Sequence, residues 1–204
     1  MTLAALAAVA LVHLLAAISP GPAFVISVRL AATEGFRAAA GFALGTGLGA
    51  VVWAAAALLG LSLLFELVPA LFTALKIVGG AFLVYMAVKM WRHAPEPMPQ
   101  AAQGAAPRSI LSAIRLGALA MLANPKPAVF FGAVFVGLVP PEAPLAAKAL
   151  VIANVLWIES AWYLICARVF SLPRACAGYA RFKTGLDRLF GGLIGALGAR
   201  IAIG

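Results

Sequence analysis

Long apolar runs separated by short polar or basic stretches make up this chain. A helix crossing the hydrocarbon core of a bilayer needs about 20 apolar residues. Six segments fit: Leu3 to Leu30, Gly41 to Phe65, Leu71 to Trp91, Ile110 to Val139, Leu145 to Phe170 and Gly185 to Ile203. The first and fourth are the longest, and each is interrupted by prolines. The pattern predicts an all-α integral membrane fold of six transmembrane helices, with helices 1 and 4 broken.

The two breaks are alike. Ser19-Pro20-Gly21-Pro22-Ala23-Phe24 interrupts the first run and Asn124-Pro125-Lys126-Pro127-Ala128-Val129-Phe130 the fourth. Both read polar-Pro-x-Pro-Ala. Each proline lacks the N–H of the helical ladder, and its ring crowds the preceding turn. In lipid the freed backbone groups must find partners in protein or in a wet cavity. A matched pair of such breaks in two halves of a chain points to a transport site near the midplane. The Pro-, Ala- and Gln-rich stretch from His93 to Pro107 has no helical period and reads as a linker. The expected organisation is residues 1–92 as one three-helix repeat, 93–108 as a cytoplasmic linker and 109–204 as a second repeat. Three spans per half turn the halves over relative to each other, which makes an inverted repeat within a single membrane domain.

Composition narrows the class. The chain is 65% hydrophobic and 10% charged, against about 25% charged in soluble domains, so it lacks the polar surface to cover a globule. The net charge of +9 reads as topology rather than nucleic-acid binding, because the basic residues gather in alternate loops. Arg29 and Arg37 follow the first span, Lys89, Arg92, Arg108 and Arg115 flank the linker, and Arg168, Arg174, Arg181, Lys183 and Arg188 follow the fifth. The positive-inside rule places these loops in the cytoplasm and both termini outside. No Lys or Arg precedes Arg29, so the first run is expected to be a retained span rather than a secretory signal. Cys166 and Cys176 suit free thiols rather than a disulfide framework or metal knuckle.

Polar residues at membrane depth carry the candidate chemistry. Helices restarting at about Pro22 and Pro127 would present free N–H groups and a positive dipole end to an anion such as a carboxylate; the bland reading is a pair of structural kinks. Lys126 sits in the second break, where a charge costs about 2.5–3.5 kcal/mol on insertion scales. It can hold a carboxylate, pair with an acid or snorkel. Asn124 can cap freed backbone or bind substrate. Glu159 is the one carboxylate well inside a span. It is a candidate proton carrier or ammonium ligand, or an internal salt-bridge partner of Lys126 or Lys76. His13 could join a proton path or be a satisfied polar residue near the outer end of its span. Lys76 could act or snorkel. Trp91, Trp162 and Tyr163 read as interfacial or packing aromatics. Gly41, Gly45 and Gly49, and the pairs Gly79-Gly80 and Gly191-Gly192, read as close helix-packing positions. They permit a homodimer without requiring one. No H-E-x-x-H, G-x-S-x-G or P-loop occurs, so no enzyme, cofactor or metal site is expected.

The breaks, with Glu34-Gly35-Phe36-Arg37-Ala38, Gly41-Phe42-Ala43-Leu44-Gly45 and Leu75-Lys76-Ile77-Val78-Gly79-Gly80 through Tyr85, resemble the lysine exporter (LysE/RhtB) family over nearly the whole chain. The resemblance implies a bacterial inner-membrane exporter of amino acids or related metabolites, driven by the proton gradient. The partners it implies are a small zwitterionic or acidic substrate, protons and the lipid bilayer. Substrate is then expected at Ser19, Pro20, Gly21, Pro22, Asn124, Pro125 and Lys126, with Glu159 coupling protons and Lys76 and His13 as further candidates. One departure is Ala23, where the family commonly has Asn or Asp. Either another residue such as Glu159 supplies that polar group, or the substrate is not a standard amino acid. Two rival readings stand beside this one: a metal-cation exporter, for which the intramembrane acids are few, and a non-transporting membrane scaffold.

Overall fold

A computed structural model describes residues 1–19, 21–61, 67–97, 108–135, 138–140 and 142–203. Among them are eight α-helices and two π-helical turns, and no strand. The helices are α1 (Leu3–Ile18), α2 (Pro22–Glu34), α3 (Phe36–Ala56), α4 (Pro69–His93), α5 (Ile110–Leu122), α6 (Pro125–Val129), α7 (Leu145–Phe170) and α8 (Pro173–Ile203). The π-helical turns, Ala57–Leu61 and Phe130–Phe135, continue α3 and α6.

Both breaks fall where the prolines put them. The axis bends by 61° between α1 and α2, and α2 starts with Pro22 in its first turn. There the missing N–H is one the helix could not have used. α5 stops at Leu122, and α6 restarts at Pro125 with Asn124 as its cap. Gly35 turns α2 into α3 with φ +83, a backbone conformation that a Cβ would strain.

α3 is the central helix because glycines let two neighbours reach its backbone. Gly41, Gly45 and Gly49 lie on one face against α5. A Cβ on Gly45 would come 2.1 Å from the Ile114 carbonyl oxygen, and one on Gly117 of α5 2.2 Å from that of Phe42. Gly47, on another face of α3, admits the Ser160 hydroxyl of α7 to 2.1 Å of where a Cβ would be. α1 lays Val9, His13 and Ala17, one helical stripe, into the core, and packs on α7. α4 and α8 form a second pair. Its seam uses Gly191, Gly195 and Gly198, the last with a virtual Cβ 2.7 Å from the Gly80 carbonyl oxygen. Gly192 is exposed instead, so the expectation of a packed Gly191-Gly192 pair holds only for Gly191: adjacent helical residues point about 100° apart. Gly79 lies outside the described residues at side-chain level.

α7 has the bounds expected of the fifth span. α8 begins at Pro173, well before Gly185, so the basic stretch with Arg174, Arg181 and Lys183 is helical rather than a loop. Arg108 is not free linker either: its guanidinium and backbone N–H donate to the Glu34 carboxylate at 2.8–3.0 Å. Residues 98–107 of the linker lie outside the described residues. Two of the described helices, Phe36–Ala56 and Leu145–Phe170, are each long and apolar enough to cross a membrane, and the bent pair Leu3–Ile18 with Pro22–Glu34 makes a third such unit. Large apolar side chains face outward on several helices, including Leu15, Leu48, Trp157 and Leu193. A water-soluble monomer rarely carries large contiguous patches of this kind.

Candidate functional site

The two breaks meet. Lys126, from the second, reaches back 110 residues in sequence. Its ammonium donates to the Ala16 carbonyl at 2.7 Å and to the Ser19 carbonyl. These are acceptors at the C-terminal end of α1, where intrahelical donors run out and the helix dipole favours a cation. Asn124 caps the opposite end: its side-chain oxygen accepts from the Lys126 backbone N–H at 3.1 Å. The sequence left capping and substrate binding both open for Asn124; the structure shows the cap.

Around this junction is a small chamber of about 20 Å³, room for about one water molecule. His13, Gly21, Asn124, Lys126 and Glu159 line it, together with Tyr163. Glu159 stands 3.8 Å from His13, both buried. Glu159 and Lys126 do not meet within ion-pair distance: Lys126 is taken by the α1 carbonyls, and the group facing Glu159 is His13. His13 also lies against the Val155 backbone, while Glu159 Oε2 and Ser19 Oγ are buried without a hydrogen-bond partner. Buried polar groups are rarely left so. The imidazole is walled by phenyl rings at centroid distances of 5.6 Å (Phe130), 5.6 Å (Phe131) and 6.4 Å (Phe135). The π-helical turn makes this wall, because its wider winding brings Phe130 and Phe135 to one side.

Other expected site residues fall differently. Pro22 lines a separate, larger cavity of about 440 Å³ between α2 and the ends of α4 and α8, while Gly21 lines both cavities. Pro20 lies outside the described residues, as do the side chains of Pro125 and Lys76. Ala23 is fully buried in the apolar core and lines neither cavity, so the polar group missing at that position leaves no gap in the chamber wall. Of the two roles open to Tyr163, interfacial or packing, the structure shows packing: it is buried, on the chamber wall. Its spacing of four from Glu159, one helical turn, was the available signal. The phenyl wall had none, because nothing in Phe130-Phe131-Gly132-Ala133-Val134-Phe135 announces a π-helical turn.

The family model described as LysE type translocator matches residues 14–204. The chain belongs to the LysE family. Within it, the chain is 34% identical to the threonine efflux protein of Escherichia coli strain K12 over 201 residues, 96% of each chain. It is 33% identical to the threonine efflux protein of Salmonella typhi, again over 96% of both chains. It is also 33% identical to the Chemotactic transduction protein ChpE of Pseudomonas aeruginosa over 155 residues, 74% of each. No solved structure matches. For a LysE translocator, the convergence of both proline breaks on one chamber places the unsatisfied polar groups where two half-helices end.

Proposed function

We propose that this chain is a proton-coupled exporter of small neutral amino acids of threonine's kind in the bacterial inner membrane. The observation that carries the reading is the Lys126 ammonium lodged between the two breaks. A substrate carboxylate entering the junction is a stronger acceptor than the Ala16 and Ser19 carbonyls, because hydrogen bonds with both partners charged are the strong ones. Lys126 then exchanges backbone oxygens for the carboxylate, the grip on the end of α1 loosens, and the two broken helices can move apart. Ser19, Pro20, Gly21, Pro22, Asn124 and Pro125 form the hinge backbone around that exchange. Glu159 and His13 carry the proton: they face each other across 3.8 Å, and Glu159 Oε2 is buried without a partner. Similarity to threonine efflux proteins over 96% of the chain supports the substrate class.

The architecture proposed is six spans in two inverted halves, 1–92 and 109–204, with both termini outside. The helix pairing supports it. Under a two-fold exchanging the halves, α3 with α5 and α7 with α1 change places, whereas α3–α7 and α4–α8 map onto themselves, and all four pairs are packed.

Purified protein in liposomes loaded with labelled threonine tests the function. Efflux is expected to accelerate when the pH gradient is imposed and to be abolished by Lys126→Ala. Glu159→Gln is expected to remove the response to the gradient while leaving slow downhill exchange. Gradient-driven efflux that survives in Glu159→Gln would overturn the coupling role.

A further inference from the structure

The central chamber, at about 20 Å³, has no room for an amino acid in this conformation. The larger cavity, at about 440 Å³, lies in the range of small-molecule sites, about 300–1,000 Å³. One wall is the face of α2 carrying Pro22, Phe24, Val25 and Val28, and the other is built from the ends of α4 and α8. Gly21 lines both spaces. A Cβ there would come 3.2 Å from Lys126 Cδ, so the missing side chain keeps the partition between cavity and junction one backbone thick.

The charges on the α4 and α8 wall are matched. Asp187 is held in place: one carboxylate oxygen is 2.7 Å from the Lys183 ammonium, and the other accepts from the Tyr179 hydroxyl at 3.2 Å. A carboxylate has about four lone-pair sites, so acceptor capacity remains for an incoming ammonium. Lys183 is committed, since it also donates to the Ala94 carbonyl at 3.2 Å, which Thr184 shares. Lys89 is not. Its ammonium sits 5.3 Å from the Tyr85 ring centre and has no carboxylate partner among the described residues. His93 and Glu96, 3.9 Å apart, stand exposed at the rim. Phe24, Val25, Val28 and Met90 supply an apolar floor for a short aliphatic side chain. A cation without a carboxylate partner among the described residues, an oriented carboxylate and an apolar floor in one cavity are the complement of a small zwitterion.

We infer that this cavity is a loading site for a free α-amino acid, in which Lys89 takes the carboxylate and Asp187 the ammonium before the substrate passes Gly21 to Lys126. The inference rests on the export reading above and adds a second, peripheral binding site on the face where the basic loops lie.

Zero-trans flux of labelled threonine, started from the face bearing these residues, tests it. Lys89→Gln and Asp187→Asn are each expected to raise the KM about ten- to hundred-fold, from loss of a hydrogen bond to a charged group, with the maximal rate falling less than the KM rises. The Asn keeps its one oxygen for Lys183 and can turn its amide N–H to the Tyr179 hydroxyl oxygen. Val25→Trp changes no charge and fills the cavity from an exposed position, so it asks nothing of the core; it is expected to raise the KM as well. A KM within about twofold of wild type in all three variants overturns the loading site. If wild type moves no threonine, the export reading is what has failed, and equilibrium binding of labelled threonine to the purified protein then decides. Binding lost in Lys89→Gln but kept in Lys126→Ala sustains the site; no binding by wild type overturns it.

Discussion

Lys126 spends its charge on backbone. Its ammonium satisfies the Ala16 and Ser19 carbonyls, which no intrahelical donor can reach. Removing it should therefore cost stability as well as transport. Each buried acceptor left without a donor costs about 1–3 kcal/mol, so Lys126→Met, which keeps the stem and loses the ammonium, is expected to lower the thermal midpoint in detergent as well as stop efflux. A variant silent in transport but unchanged in midpoint would show that the carbonyls find other donors. Glu159→Gln should behave oppositely. It removes a buried charge that lacks a full set of partners, so the folded state should be no less stable than wild type in the same melt.

At the scale of the helices, contact is set by glycine rather than by complementary polar groups. In lipid, association depends on backbones coming close, and α3 meets α5 through Gly45 and Gly117, where an added Cβ would strike backbone oxygen at 2.1 and 2.2 Å. Backbone cannot step aside as a side chain can. Gly45→Ala and Gly117→Ala are each expected to destabilise by at least about 1–3 kcal/mol, the usual cost of overpacking, read as loss of the folded species on detergent unfolding. Gly185→Ala is the control. It lies within α8, a Cβ there meets nothing within 4 Å, and replacing a helical glycine should be neutral or stabilising by about 0.5–1 kcal/mol.

At the scale of the whole molecule, the two halves are joined by the central Lys126 contact and by Glu34–Arg108 between the end of α2 and the start of α5. The Arg108 guanidinium holds the Glu34 carboxyl below the usual carboxylate range. A lowered folded-state pKa means the link is fully formed above the ordinary glutamate value, about 4.3, and is lost as pH falls through the lower folded value. Its contribution is modest, about 0–1 kcal/mol for a solvent-accessible pair. Wild type is expected to melt slightly above Glu34→Gln from pH 5 upward, with the difference vanishing in stronger acid. A difference that grows on acidification would contradict this sign. The accessible space is also uneven: a wide cavity on the side of Lys89 and Asp187, a small chamber at the break, and phenyl rings packed around His13.

The sequence by itself determined the class and the place of both breaks. Those follow from local physics: apolar length against bilayer thickness, and prolines that cannot continue a ladder. Gly41, Gly45 and Gly49 were legible as a packing face for the same reason, since their spacing of four is a helix period. What only the tertiary structure decided is who faces whom. A Lys126–Glu159 ion pair was one of the alternatives the sequence left open, but the α1 carbonyls take the ammonium, and His13 stands against the carboxylate. Tyr163 entered the chamber because α7 is drawn against α3 at Gly47 and Ser160. Local winding hid two further features, the π-helical turn that gathers Phe130, Phe131 and Phe135 and the early start of α8 through a basic stretch. Lys89 and Asp187, some hundred positions apart, share a cavity because α4 and α8 pack through glycine, and no periodicity along the chain records a distance between helices.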